Sequence, residues 1–348
     1  MYKWILSLSS ILIIGCGGSS SGGSELNSFN MEVFDPYTEP EFKYAWHLQR
    51  VSADYASSRG ITSDSHINIF SVWNKKIFGS RVKVAIIDYD FNPDQEDIAP
   101  NVIRTYNVDT DSVRVRKNSS EHGTGVASII AGSHNKVGTL GVAPKSQLIL
   151  IDADLSDDAS KIKAFYKAKE FGAKVISCSW STPNVSESVS KTIKELYNDN
   201  ITIVFGSGNR NYDLDDWHNS EAELDWVIGV GASTEDNKKA HYSNYGDNID
   251  ILAPGGRGDG GLVAAKYSTT YTKRFNGTSA SAPIVAGVVA LMLEVNPYLT
   301  PKQVRKILIN TTEKIDSENA NYNSNGSSHT HAYGKVNATR AVSLAKTY

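Results

Sequence analysis

Residues 81–88 read Arg-Val-Lys-Val-Ala-Ile-Ile-Asp, a short β-branched apolar run that ends in an acid. Such a run is typical of a strand that is buried on both faces within a parallel sheet. Asp88 is the first polar residue after the apolar run, so we expect it at the carboxyl end of the strand. Open α/β sheets place their functional sites at that edge. Asp88 is therefore the first candidate site residue.

Further strand-like runs lie near residues 147–152, 174–179, 201–206 and 226–231, and helical patterns such as 157–171 and 186–199 lie between them. This alternation predicts a mostly parallel central sheet with helices on both faces. The chain shows no internal repeat. We expect a single doubly wound α/β domain.

The composition is that of an ordinary soluble globule. Of the 348 residues, 40% are hydrophobic and 21% are charged, and the formal net charge is −3. A nucleic-acid-binding protein would carry a basic surplus, which this chain lacks. The sequence therefore indicates no nucleic-acid partner.

Two other segments place a polar residue at the predicted start of a helix. His122 precedes Gly-Thr-Gly-Val-Ala-Ser-Ile-Ile-Ala-Gly, in which apolar residues recur at helical spacing. Ser279 follows Gly277 and Thr278 and precedes residues 280–294, an apolar stretch long enough for a buried helix. The positive end of such a helix and its free N–H groups suit a developing oxyanion.

Asp88, His122 and Ser279 together are what acyl-transfer chemistry requires. A serine is a poor nucleophile until a histidine takes its proton, and a carboxylate fixes the histidine tautomer and steadies the imidazolium. Each residue alone has a commoner structural role, as a helix cap or a turn former. Their joint occurrence at three such junctions favours the catalytic interpretation.

With these motifs, residues 44–346 resemble the subtilisin-like serine proteases, or subtilases. The segments that carry the resemblance are Val84-Ala85-Ile86-Ile87-Asp88, His122-Gly123-Thr124-Gly125-Val126-Ala127 and Gly277-Thr278-Ser279-Ala280-Ser281-Ala282-Pro283. The chain order Asp, His, Ser is that of subtilisin. The resemblance implies a serine endopeptidase that cleaves polypeptide substrates through an acyl-enzyme, with residues 44–348 as its catalytic domain. It also implies that Asn209, after the strand-like run 201–206, is the side-chain oxyanion donor.

The Asp segment departs from the family pattern. Tyr89 and Asp90 stand where subtilases usually have a small hydroxyl residue and Gly. Asp90 would place a second negative charge near Asp88. The alternative function is therefore a catalytically silent subtilase fold that serves as a binding lipoprotein.

The resemblance also implies where a substrate binds. A peptide would add as a strand along Ser179, Trp180 and Ser181, which with Gly208 would wall the primary specificity pocket. Trp180 and the segment Gly-Thr-Ser-Ala-Ser-Ala-Pro at 277–283 resemble the kexin-like branch of the family, which cleaves after basic residues. Asp215 is then the candidate for meeting Arg or Lys. The alternative is that the acids of this loop simply face water.

Calcium is the expected cofactor. In the subtilisin pattern, a loop after the His helix binds the ion with one Asn and several carbonyls, joined by an upstream Asp. The matching residues here are Asp97, Ser133, Asn135, Val137 and Thr139. Hard oxygen ligands on a rigid loop suit calcium. The alternative is a solvated turn, since Lys136 adds a positive charge nearby.

The amino terminus predicts a lipid anchor. Lys3 precedes an apolar run at 4–14 that is too short to span a bilayer comfortably and typical of a signal peptide. Ile13-Ile14-Gly15-Cys16 resembles the lipobox of bacterial lipoproteins. We expect residues 1–15 to be the signal peptide, Cys16 to be lipidated and 16–43 to be a flexible tether. The expected location is the bacterial cell envelope, at the outer rather than the inner membrane if the cell has an outer membrane. A plain secretory signal is the alternative.

The mature domain is expected to begin soon after this tether. Residues 44–48, Tyr-Ala-Trp-His-Leu, resemble the start of the mature domain in some subtilases. This leaves no room for an ordinary propeptide. Either the domain folds unaided, or a partner supplies inhibition and chaperoning in trans.

Overall fold

A computed structural model of the chain describes residues 34–117, 121–217 and 219–348, without the side chain of Trp217. The predicted signal peptide, Cys16 and most of the tether lie outside the described residues. Residues 35–348 form one compact unit. Phe42, which lies in the predicted tether, is fully buried in this unit and packs against Phe70 and Trp73.

The central sheet has seven parallel strands in the order β2-β3-β1-β4-β5-β6-β7. The strands are β1 Lys83–Asp88, β2 Val102–Asn107, β3 Gln147–Asp152, β4 Val175–Cys178, β5 Thr202–Gly206, β6 Ile228–Ser233 and β7 Ile251–Pro254. The five predicted strand-like runs are confirmed as β1, β3, β4, β5 and β6, with bounds that differ by two residues or fewer. Strands β2 and β7 were not predicted.

Helices cover both faces of the sheet, so the predicted doubly wound α/β fold is confirmed. The helices are α1 Ala53–Arg59, α2 Phe70–Trp73, α3 His122–Ala131, α4 Asp158–Glu170, α5 Glu187–Asn198, α6 Leu214–Trp217, α7 Thr278–Val295, α8 Pro301–Asn310, α9 Ser317–Ala320 and α10 Ala338–Ala345. Phe165 of α4 and Ile193 of α5 belong to one core cluster, which also contains Ile87 of β1. Helices α3 and α7 pack against each other and against the strands of the same sheet. Helix α7 is apolar and mostly buried inside the fold.

Strand register brings the candidate residues to one edge. Ile87 of β1 pairs with Cys178 of β4, and Cys178 pairs with Phe205 of β5. The next residues along these strands therefore emerge at the same level of the sheet. They are Asp88, Ser179 and Gly206, and the segment 207–209 follows directly.

An antiparallel hairpin of β8 Leu262–Ala265 and β9 Tyr271–Phe275 lies beside this edge. It is fastened to α3, because the Ala265 backbone N–H donates to the Ser128 hydroxyl at 2.9 Å. Strand β9 ends at Phe275, three positions before α7 begins. The hairpin therefore packs on the helix that carries His122 and leads, along the chain, into the helix that carries Ser279.

Candidate active site

Asp88 and His122 form a close pair at the end of β1. The two are joined through Asp88 Oδ1 and His122 Nδ1 at 2.8 Å, and the Asp88 side chain is fully buried. Asp88 Oδ1 also accepts the Tyr89 backbone N–H at 2.8 Å. His122 begins α3, as the sequence predicted. This contact fixes the ring so that Nε2 is free for a substrate or nucleophile proton.

Two glycines in α3 leave room for the aromatic rings around His122. A Cβ on Gly123 would lie 2.5 Å from the Phe91 ring, and one on Gly125 would lie 2.4 Å from the Phe275 ring. The Phe275 ring is 5.5 Å from the imidazole, centroid to centroid. The His-Gly-Thr-Gly segment therefore has glycine where close aromatic packing requires it.

The electrostatic environment raises the pKa of His122 above its usual value. Burial alone would lower it, because burial disfavours the charged ring. The Asp88 charge, its hydrogen bond and the charge of Asp90 act in the opposite direction and prevail. The charge of Asp90 thus stabilises the protonated ring of His122.

Ser279 lies at the start of α7, where the sequence placed it. Its hydroxyl donates to the Ser179 carbonyl at 3.1 Å, and the Ser179 hydroxyl donates to the Ser279 carbonyl at 3.1 Å. This reciprocal pair joins the end of β4 to the first turn of α7. Ser279 and His122 line the same cleft.

Asn209 follows β5 and lies beside the first turn of α7. Its Oδ1 accepts the Thr278 backbone N–H at 2.9 Å and the Thr278 hydroxyl at 3.2 Å. These two donors fix the orientation of the amide, so Nδ2 is the group left to donate. A Cβ on Gly277, whose φ is +92°, would lie only 3.0 Å from Nδ2, so glycine allows this approach.

The cleft that contains these residues has a volume of about 400 Å³. It is lined by residues from the ends of β1, β4 and β5, from α3 and α7, and from the loops between them: Tyr89, His122, Ser179, Trp180, Ser181, Thr182, Pro183, Ser207, Gly208, Asn209, Arg210, Tyr212, Leu214, Ser220, Asn244, Thr278 and Ser279. All candidate catalytic and substrate-binding residues are in this set except Asp215 and the fully buried Asp88.

Trp180 and Gly208 have structural roles as well as a place in the cleft. The Trp180 indole N–H donates to the Ile87 carbonyl at 3.1 Å, and its ring meets Phe205 edge-on. Gly208 has φ +102°, and a Cβ there would lie 2.5 Å from the Asn244 amide nitrogen. The wall of the cleft is therefore tied to the sheet edge.

Asp215 is not brought to the cleft. Both of its carboxylate oxygens accept the Asp247 backbone N–H at 3.2 Å, and one lies 3.6 Å from His329 Nδ1. His329 also hydrogen-bonds Asp213 and Asp247, and these contacts raise its pKa to about 9. The Asp215 carboxylate is thus drawn towards an imidazolium and away from the expected specificity pocket.

The predicted metal loop contains buried oxygen atoms without partners. Asp97 is fully buried; its Oδ2 accepts the Thr139 backbone N–H at 3.2 Å, and its Oδ1 has no partner among the described residues. Thr139 Oγ1 also lacks one. Burial raises the pKa of Asp97 well above its usual value. Unpaired buried carboxylate oxygens fit a hard cation.

Glu39 adds a second carboxylate that the sequence analysis missed. It is 2% exposed, its Oε1 accepts the Lys136 backbone N–H at 2.9 Å, and its Oε2 has no partner among the described residues. Both carboxylates accept a backbone N–H from the same loop, Glu39 from Lys136 and Asp97 from Thr139, and the charge of Glu39 contributes to the raised pKa of Asp97. Lys136 contributes this N–H, while the residue as a whole is exposed.

The other predicted ligands frame the same loop. The Asp97 carbonyl accepts the Ser133 N–H at 2.8 Å, and Asn135 Oδ1 accepts the Val137 N–H at 3.2 Å. Gly138 lies directly under the Tyr271 ring of β9, and the Tyr271 hydroxyl donates to Glu96 at 2.9 Å. The loop is therefore in contact with the β8–β9 hairpin.

The comparisons with known proteins agree with this geometry. Residues 79–334 match the subtilase family, peptidase class S8. The chain therefore belongs to the subtilase family.

Two relatives are similar to this chain over most of its length. The chain is 29% identical over 378 residues to a calcium-dependent protease of Nostoc sp., with 92% of this chain and 55% of the relative covered. It is 29% identical over 280 residues to subtilisin BL of Lederbergia lenta, with 79% and 93% covered. The chain thus spans about half the length of the calcium-dependent protease.

A solved structure confirms the fold. The Aeromonas sobria serine protease, in a complex with its chaperone, superposes with a TM-score of 0.80 at 20% identity. The superposition covers 89% of this chain and 67% of that protease.

Proposed function

We propose that this subtilase is a serine endopeptidase that hydrolyses polypeptides through an acyl-enzyme. One observation carries the proposal: His122, paired with the buried Asp88 at 2.8 Å, lines a single cleft with Ser279 and Asn209. The family membership agrees with it.

The proposed reaction uses these four side chains in turn. The Ser279 hydroxyl turns from the Ser179 carbonyl towards His122 Nε2, gives up its proton and attacks the substrate carbonyl carbon. Asp88 stabilises the imidazolium, and Asn209 Nδ2 donates to the oxyanion. His122 then protonates the leaving amine, and water hydrolyses the ester by the same steps in reverse.

A fluorophosphonate probe tests this function, because it labels only an activated serine. We expect the folded protein to be labelled and to cleave a peptide substrate, and Ser279→Ala to do neither. Heat-denatured protein is the control for non-specific labelling. Absence of labelling in protein shown to be folded would refute the proposal and favour the silent binding lipoprotein.

We also propose that the loop after α3 holds a structural calcium ion. Asp97, Asn135, the backbone of Ser133, Val137 and Thr139, and the newly found Glu39 are the residues that would hold it. Bound there, the ion would neutralise two buried carboxylates and order the loop. The unpartnered oxygens of Asp97 and Glu39 support this assignment.

For the primary pocket, we propose a preference for uncharged side chains. The described residues that line the cleft include no Asp or Glu, and Arg210 is among them. Glu221, near the pocket, is buried and accepts the Thr182 N–H at 2.9 Å. Peptide pairs with Leu or Arg before the scissile bond test this proposal. Faster cleavage of the Arg peptide, reversed by Asp215→Asn, would restore the original prediction.

Anchoring through lipidated Cys16 in the cell envelope is also proposed, from the sequence pattern alone. Incorporation of labelled fatty acid into the wild type but not into Cys16→Ser tests it. A folding chaperone or inhibitor acting in trans is proposed as well, and the solved complex of the Aeromonas sobria protease with its chaperone supports it. Refolding yields of the isolated chain measure the need for such a partner.

A further inference from the structure

Tyr89 is one of the two residues that depart from the family pattern in the Asp segment, and the structure places its ring against His122. The two rings are nearly parallel, with planes 8° apart and centroids separated by 5.2 Å. We propose that Tyr89 is a positioning residue, whose ring holds the His122 imidazole in plane and stabilises it when it is protonated. This inference deepens the proposed protease function and rests on it.

Hydrogen bonds join the backbone of Tyr89 to Asp88 and to the helix turn that carries His122. Its N–H donates to Asp88 Oδ1 at 2.8 Å, and its carbonyl accepts the Gly123 N–H at 3.0 Å. The first bond ties Tyr89 to the carboxylate that pairs with His122. The second ties it to the helix turn that carries His122. The ring is therefore presented from a fixed support.

The stacked geometry suits an imidazole that must become charged. Offset parallel packing is a preferred arrangement of aromatic rings, and a ring face attracts a cation. The carboxylates of Asp88 and Asp90 also favour the charged form of His122. Phe275 contacts the imidazole at a tilt of 40°, so Tyr89 alone supplies a parallel face among the described residues.

The hydroxyl of Tyr89 has no part in this role. Within the described part of the chain, no hydrogen bond to the phenol oxygen is present, and the residue is 39% exposed at the cleft. Phenylalanine should therefore replace tyrosine without loss. A side chain of similar apolar character but without a ring face should not.

The competing role for Tyr89 is a wall that selects substrate side chains, since it lines the cleft beside His122. The two roles differ in kinetics. A positioning residue affects turnover of every substrate, whereas a wall affects KM and only for substrates with a large side chain there.

The experiment compares Tyr89→Phe and Tyr89→Leu in the full chain. Two peptide substrates differ only in Gly or Leu at the second residue before the scissile bond. Tyr89→Leu should lower kcat about two- to tenfold on both peptides with KM unchanged. Tyr89→Phe should match the wild type. Tyr298→Leu, at a tyrosine that is 90% exposed and does not line the cleft, is the control.

The pH dependence supplies a second readout. Loss of the stacked ring removes a stabiliser of the imidazolium, so the acid limb of kcat/KM in Tyr89→Leu should move to lower pH. Titration of the His122 ring by NMR should show the same downward change in pKa, even if the protein is catalytically silent. A silent wild type would overturn the protease proposal, and the NMR titration would still decide the role of Tyr89.

Three results would overturn the positioning role. The first is an unchanged kcat and an unchanged His122 titration in Tyr89→Leu. The second is a loss confined to KM of the Leu peptide, which would show a specificity wall. The third is an equal loss in Tyr89→Phe, which would assign the effect to the hydroxyl.

Discussion

Replacement of Asn209 by alanine isolates one donor of the proposed oxyanion hole. Asn209 Oδ1 is occupied by the backbone N–H and hydroxyl of Thr278, so Nδ2 is the only amide group available to a substrate oxygen. Removal of one such donor lowers kcat by about 10²–10³, or ~2.7–4 kcal/mol of transition-state stabilisation. We expect KM to change little, because this charge develops only after attack.

The same replacement has a structural cost that must be measured separately. Alanine removes the acceptor for the Thr278 N–H, and an unsatisfied buried donor costs about 1–3 kcal/mol. In a domain of this size, each kcal/mol lowers Tm by about 1.5 °C. Asn209→Asp is the matched control, because it keeps an acceptor for Thr278 but puts a carboxylate where the oxyanion forms.

The assay is kcat and KM on one peptide at pH 8, with Tm from calorimetry of the same samples. Asn209→Asp should have a Tm nearer the wild type than Asn209→Ala, yet a kcat as low or lower. A kcat for Asn209→Asp near the wild-type value would refute the donor role. If kcat and Tm both fell in Asn209→Ala and neither fell in Asn209→Asp, the loss of activity would be assigned to the unpaired Thr278 N–H instead.

Three further predictions follow from the charged groups of the structure. Chelation should lower Tm by about 5 °C, as expected when calcium saturates its site several-hundred-fold above Kd, and Asp97→Asn should abolish this response; an unchanged wild-type Tm would exclude the ion. Because the pKa of His122 is raised, kcat/KM should fall as pH drops through that pKa, and a rise on acidification would contradict the general-base role. The pKa of His329 is raised to about 9, so its stabilisation of the folded state is complete below pH 6.5 and is lost as pH rises through 9. His329→Gln should therefore lower the free energy of unfolding by up to about 1 kcal/mol at pH 6 and leave it unchanged at pH 10, as measured by denaturant unfolding.

The sequence predicted those parts of the fold whose local pattern reflects burial. Strands β1 and β3 were found with their bounds because both are apolar nearly throughout. Strand β2 was missed because its Ile103 and Arg104 face solvent and interrupt the apolar run. Strand β7 has only four residues and ends in Pro254, a residue that argues against a strand in the interior of a sheet.

The site divides in the same way. Asp88, His122 and Ser279 were located because each sits where an apolar strand or helix begins or ends. The direction of Asp215 was not predictable, because it depends on His329, more than 100 positions away in the chain. Glu39 was missed for the same reason: no local pattern connects it to the loop that holds Asp97.

Strand β9 touches two places that the sequence gives no reason to connect. Tyr271 at its start contacts Gly138 in the loop proposed to bind calcium, and Phe275 at its end packs on Gly125 and His122. A loop that loosens without its ion would free the start of this strand and, through it, the support of the imidazole. Withdrawal of calcium would then inactivate the proposed protease at temperatures at which the domain is still folded. The upper limit of its working temperature would depend on the ion and would lie below its melting temperature.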